Sequence, residues 1–261
     1  MTVSSSVVAD SYRRRAQFCR AETADARRPR LLRGLLDTTG HVAEIPCGTG
    51  HFLTEYAHAG AAVTLVDACP DMLEVATGHA DDAGLPADRV HPTLSTMQQL
   101  SELSDVDLVV LPGGALNQLA RQTPLAQLLA GLRSVLRPGV EVLAQVACTH
   151  PGGGIDTATF YDPHRQHGVW FADRWFRPAE AAGAVLRRRR QYRRDNALTI
   201  EFDYRNPAGD KLHTTTVELA LPSVGNLADA FTAAGLVHVR ALPGHGGLSE
   251  FLATTPSRSP R

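Results

Sequence analysis

The chain has 261 residues, of which 43% are hydrophobic and 20% charged; that suits one large α/β domain, or one domain with a modest insertion, and excludes a disordered chain. The formal net charge of −1 argues against a dedicated nucleic-acid binder, and the longest apolar runs are too short to cross a bilayer. Four cysteines (Cys19, Cys47, Cys69 and Cys148) are widely spaced with no CxxC pair, which excludes a disulfide scaffold and a zinc ribbon and fits a reducing cytoplasm.

The first residues, MTVSSSVVADSYRRR, lack the order of basic region, apolar region and cleavage site, so no signal peptide is expected. Residues 10–37 read as helix, with Leu31, Leu32, Leu35 and Leu36 on one face and arginines over the rest. Those arginines suit a solvated face, with a lid over an anionic ligand as the sharper alternative. Strand and helix then alternate from 41 to 147. Strands are expected at 41–45, 62–66 ending at Asp67, 90–94 (weaker), 106–111 and 141–147. Helices are expected at about 51–58, 70–80 and 124–136, the last stopped by Pro138-Gly139. Short loops between alternating elements imply right-handed crossovers and a parallel sheet covered on both faces.

The pattern then changes. Residues 150–182 are rich in aromatics, His and Gly, and three period-2 segments follow: AVLRRRRQYRR, LTIEFDYR and KLHTTTVELAL. Leu198, Ile200, Phe202 and Tyr204 share one face of the second, and Asn206-Pro207-Ala208-Gly209-Asp210 turns into the third. This is an antiparallel insertion. Its arginine run, Arg187–Arg190 with Arg193 and Arg194, reads first as a solvated edge strand that resists aggregation. A helix at about 227–234 ends at Gly235, and strands at 237–242 and 248–254 complete the domain.

The stretch HVAEIPCGTGHFL carries the chemistry. A strand runs into Glu44, then Gly48-Thr49-Gly50, then a helix. Two glycines let backbone approach a ligand closely, and the helix start offers free N–H donors. Asp67 ends the next strand, where a carboxylate can take both hydroxyls of an adenosine ribose. Leu53 stands where a dinucleotide fingerprint needs a small residue, and no Gly-Lys-Ser/Thr follows for a P-loop. Glu44 would repel a pyrophosphate but suits a cationic ammonium group.

EIPCGTG, VTLVDACPDML, DLVVLPGGALNQL and LRSVLRPGVEVLAQV together resemble the class I S-adenosylmethionine-dependent methyltransferases. The inserted antiparallel strands are most similar to the small-molecule branch, which includes glycine N-methyltransferase and the aminosugar N,N-dimethyltransferases. The resemblance implies a Rossmann-like seven-stranded α/β sheet with an antiparallel insertion after the fifth strand, and S-adenosylmethionine as cofactor. It places Glu44 toward the methionine amine through the motif backbone, with Cys47, Gly48 and Gly50 in the turn. Asp67 and Ala68 belong at the ribose, and Met72, Thr96 and Met97 at the adenine. The chain departs from the family at Thr96, where an Asp usually precedes the methionine. Tyr12 resembles an N-terminal tyrosine that covers the cofactor; a lone surface tyrosine is the competing reading.

The resemblance implies methyl transfer to a nitrogen or oxygen of a small molecule in bacterial secondary metabolism such as antibiotic biosynthesis. Alternatives are a protein or RNA methyltransferase, or a protein that binds the cofactor without methyl transfer. No nucleic-acid or membrane partner is expected, and a homo-oligomer is left open. Acceptor-side candidates lie at the C-terminal edge of the sheet: Asn117, and His150 as proton acceptor, with Tyr161, His164, His167, Trp170 and Trp175 from the insertion. The aromatics fit a pocket wall or the insertion's own core. The histidines lack a trusted third ligand, so no metal is expected. The chain divides into a helical lid (1–40), a cofactor core (41–149), a substrate cap (150–222), the closing helix and strands (223–255) and a disordered tail (256–261).

Overall fold

A computed structural model describes residues 15–23, 28–150, 160–178, 183–243 and 248–257. In chain order the core contains α1 (Ala16–Thr23), α2 (Leu32–Leu36), β1 (His41–Glu44), α3 (Leu53–Ala59), β2 (Ala62–Asp67), α4 (Pro70–Asp82), β3 (Val90–Leu94) and β4 (Leu108–Leu111). There follow α5 (Ala115–Leu119), α6 (Leu125–Ser134) and β5 (Glu141–Val146). The insertion supplies β6 (Phe171–Phe176), β7 (Val185–Arg194), β8 (Ala197–Arg205) and β9 (Lys211–Ala220). The chain returns through α7 (Val224–Ala233), β10 (Val237–Leu242) and β11 (Ser249–Thr254).

The main sheet has seven strands in the order β10-β11-β5-β4-β1-β2-β3. Strands β1 to β5 are parallel, while β10 and β11 pair antiparallel. Its centre is buried on both faces. Along β4, Leu108 and Val110 pack with Val42, Leu65 and Tyr56, whereas Val109 and Leu111 pack with Leu129, Val142 and Phe231. Such double burial needs a continuous apolar strand, and each fully buried Leu contributes about 1.5–3 kcal/mol. The order in which successive strands are laid down reverses between the parallel β1 and β4, so a crevice opens there at the C-terminal ends of the strands.

The second sheet is antiparallel, in the order β6-β7-β8-β9. Its inner face carries Leu198, Ile200, Phe202 and Tyr204, which pack with Phe18 of α1 and Ala147 at the end of β5. Ser223 caps α7 by accepting from the Asn226 N–H, and Gly235 follows the helix at φ +80°.

Three expectations change. The continuous helix over 10–37 is two helices, α1 and α2, because Pro29 disfavours the α conformation at Arg28. The N-terminus of α2 is met by Glu250 of β11, whose buried carboxylate accepts from the Arg30 and Leu31 N–H groups. The aromatic stretch, where no strand is expected from the sequence, contains the strand β6. That strand covers the open edge of β7, so Arg187–Arg190 do not form a solvated edge. Arg189 is 4% exposed, and Arg187 is buried against Glu22 and Asp173.

Candidate active site

The turn after β1 is built by two carboxylates. Glu44 is fully buried; its Oε1 accepts from the His51 N–H at 2.7 Å and its Oε2 from the Tyr56 hydroxyl at 2.7 Å. Burial first, and then Glu44, push the Tyr56 phenol well up, so it stays a donor. Both Glu44 oxygens are therefore committed within the protein. Its charge acts on the turn from beneath, with no direct reach to a ligand.

Asp67 holds the same turn from the β2 side. Its Oδ2 accepts from the Gly48 N–H at 2.8 Å and its Oδ1 from the Cys69 N–H at 2.9 Å. Burial raises its pKa, and those N–H groups oppose the rise. A desolvated carboxylate at a strand end readily takes hydroxyl donors. Gly48 has φ +53° and Gly50 φ +81°, and a Cβ on Gly50 would lie 2.3 Å from Leu53 Cδ1. Only glycine fits there, and the backbone stands bare toward the crevice. These features fit a nucleoside-bearing ligand with a cationic end.

The cofactor-side candidates fall into two groups. Cys47 is buried in the turn with its thiol on the Gly48 carbonyl. Met72 at the start of α4 packs with Ala16, Cys19 and Cys69, and Ala68 is exposed beside Asp67. Thr96 precedes a 3₁₀ turn with its hydroxyl on Gln99, and Met97 is buried in the core on the α6 side. Helix α1 therefore covers the rim next to Asp67. Its Cys19 thiol, raised by burial, lies in the field of Asp67. Tyr12 lies outside the described residues.

On the acceptor side the structure reassigns several residues. Asn117 is fully buried in α5. Its Nδ2 donates to the carbonyls of Ala147 and Ala220, at 2.8 and 2.7 Å, and its Oδ1 accepts from the Ala147 N–H at 2.9 Å. Both amide hydrogens are spent joining the end of β5 to the end of β9, so it is a pin between the two sheets. Trp175 is 57% exposed and alternates with the inward Phe176, which puts it on the outer face of the second sheet. Trp170 stacks under Arg188 and Arg190. Because Arg188 and Arg190 pair with Asp203 and Glu201, this too is the outer face. Neither Trp therefore stands at the crevice. The Tyr161 hydroxyl meets His167 Nε2 at 3.0 Å on an exposed loop, where the exposed His164 donates its N–H to Asp162. His150 is exposed after β5, lining a cavity of about 460 Å³ with Thr149, Ser223, Val224 and Gly225. No group of three or more metal-ligating side chains occurs among the described residues.

Two residues at the crevice escaped the sequence reading. Phe160 packs on Gly114 after β4, where an added Cβ would lie 3.0 Å from its ring. His51 sits between the turn and the loop after β4; its only sequence signal is its place directly after Gly50.

A largely parallel sheet with this strand order, a glycine turn after β1 and an acid ending β2 make a Rossmann-like fold of the methyltransferase type. Residues 42–139 match the family model described as a methyltransferase domain. A ubiquinone biosynthesis O-methyltransferase from Methylobacterium nodulans is 34% identical over 96 residues, covering 37% of this chain and 36% of that relative. The match thus spans little more than a third of the relative's length. Two solved structures share the fold. One is CalS10, an amino pentose methyltransferase from Micromonospora echinaspora involved in calicheamicin biosynthesis, solved with S-adenosylmethionine bound. It is 22% identical, with 89% of each chain covered and a TM-score of 0.62. The other is the sugar N-methyltransferase KedS8 from Streptoalloteichus, 19% identical, with 87% of this chain and 85% of that chain covered and a TM-score of 0.63.

Proposed function

We propose that this chain transfers the methyl group of S-adenosylmethionine to a nitrogen or oxygen of a small molecule, in a biosynthetic setting akin to antibiotic production. The observation that carries this reading is the pairing of the bare Gly48–Gly50 turn with Asp67, whose carboxylate grips that turn at 2.8 Å. When bound, the cofactor supplies an activated methyl group. Asp67 would take the ribose hydroxyls with Ala68 beside it, and Met72, Thr96 and Met97 would lie toward the adenine. Helix α1, Phe160 and the inner face of the second sheet would enclose the acceptor side, excluding water and setting the approach angle. His150 is the proposed proton acceptor, being an imidazole at the C-terminal edge beside a cavity.

Nitrogen transfer is supported by the likeness to the sugar N-methyltransferase and oxygen transfer by the curated relative. The cofactor reading is tested by calorimetry. S-adenosylmethionine and S-adenosylhomocysteine should bind, and Asp67→Ala should weaken both by about 1.5–3 kcal/mol, the value of hydrogen bonds to a charged group. Binding of NAD instead, or an unchanged affinity in the variant, refutes the assignment.

A further inference from the structure

His51 lies between the glycine turn after β1 and the loop after β4. Its ring spans the two loops that meet at the switch point between β1 and β4. A Cβ on Gly48 would lie 3.5 Å from its Cε1, and one on Gly113 would lie 3.2 Å from its Nε2. The side chain is only 16% exposed.

The ring's orientation is fixed chemically. Nδ1 lies 3.1 Å from the Cys47 carbonyl oxygen. A carbonyl can only accept, so Nδ1 carries the hydrogen and donates. With the hydrogen on Nδ1, the tautomer that accepts does so at Nε2, on the side of Gly113. Nδ1 also lies 3.4 Å from Glu44 Oε1. The buried Glu44 carboxylate beneath and Asp67 on the β2 side make this end of the crevice electronegative, which favours a cation.

We infer that His51 binds the methionyl end of the cofactor, its Nε2 accepting a hydrogen bond from the α-ammonium group while Nδ1 stays anchored on Cys47. The inference rests on the S-adenosylmethionine reading above. It adds a side-chain contact at the methionyl end, which the Gly48–Gly50 turn otherwise lines with backbone. It also explains why glycine stands at Gly113: with φ +54° and the ring at 3.2 Å, a side chain there would displace the imidazole.

The test pairs a protein change with a ligand change and reads binding alone. S-adenosylhomocysteine carries the ammonium group, its desamino analogue lacks only that group, and 5′-deoxy-5′-methylthioadenosine lacks the whole amino-acid end. In calorimetry, the parent protein should prefer S-adenosylhomocysteine to the desamino analogue by about tenfold or more, as suits a hydrogen bond to a charged group. His51→Ala should lose that preference while binding methylthioadenosine within about twofold of the parent, which also reports an intact fold. An equal loss for all three ligands would make His51 a support of the turn and overturn the inference. A parent protein indifferent to the ammonium group overturns it without any variant. If the parent binds none of the three, the cofactor reading itself fails, and that outcome is distinct from the other two.

Discussion

At the scale of single residues, the same side-chain type does different work according to what surrounds it. Asn117 and His150 were both candidates for chemistry from their places after β4 and β5. Asn117 is fully buried and bonded to three backbone groups. Its replacement by Ala should leave those groups unpaired and cost about 2–4 kcal/mol of stability. Denaturant melts should show the loss, and turnover of the protein that remains folded should change little. His150 is exposed beside its cavity. As a general base it should contribute roughly 10²- to 10⁴-fold, so His150→Ala should slow turnover by that factor with unchanged S-adenosylhomocysteine affinity. A change of only a few fold across the pH range would leave positioning alone to carry the reaction.

At the scale of elements, α1 is held between the two sheets by one buried carboxylate. Glu22 Oε1 accepts from Arg187 at 2.7 Å and from the Tyr204 hydroxyl at 2.8 Å, and Oε2 accepts from Arg15 at 3.0 Å. Phe18, one turn earlier, stacks on Tyr204 with ring centroids 4.8 Å apart. Burial alone would raise the Glu22 pKa, but Arg15 and Arg187, with the bonds from Arg187 and Tyr204, hold it at about 2, against an ordinary 4.5. A depressed carboxylate pKa stabilises the folded state fully above the unfolded value and loses that contribution as pH falls through the folded value. The shift corresponds to about 3 kcal/mol, lost between pH 4.5 and 2. Hydrogen exchange should show α1 protected above pH 4.5 and opening below it. Glu22→Gln should open α1 at neutral pH and flatten the acid dependence. Adding S-adenosylhomocysteine should increase protection in α1 of the parent, since the helix covers the rim beside Asp67.

At the scale of the whole molecule, the cap and the core meet at the C-terminal edge of the main sheet, where Asn117 joins the ends of β5 and β9; on the proposed function this junction would select the acceptor. The cap presents an apolar inner face with Arg187 and Arg189 set into it, while Trp170 and Trp175 face away. Incubation with S-adenosylmethionine and a panel of amines and phenols should yield a product heavier by one methylene, detected by mass spectrometry. Products from amines alone would fix nitrogen transfer and from phenols alone oxygen transfer. Cofactor binding without any methylated product across the panel would count against the transferase reading. Among the described residues, no helix is long and apolar enough to cross a membrane.

The sequence by itself determined the main sheet, the glycine turn and the acid ending β2, because these rest on local rules. Continuous apolar strands such as 108–111 declare burial on both faces, and a Gly-x-Gly between strand and helix declares a close backbone approach. The alternation at 198–204 likewise gave the inner face of the cap. Only the tertiary structure decided what faces what. The Arg187–Arg190 run reads as a solvated edge until β6 pairs beside it and Glu22, far away in sequence, supplies the counter-charge. Trp175 reads as either a pocket wall or core of the insertion until strand alternation, offset by a bulge between Ala172 and Arg174, turns it to the outer face. His51 gave no signal beyond its place after Gly50, since its role depends on Gly113 reaching it from another strand end. Local sequence sets backbone conformation and which face of an element is apolar. The partner of a charge or the neighbour of an imidazole is set by contacts between distant segments, and those exist only once the two sheets have closed on each other.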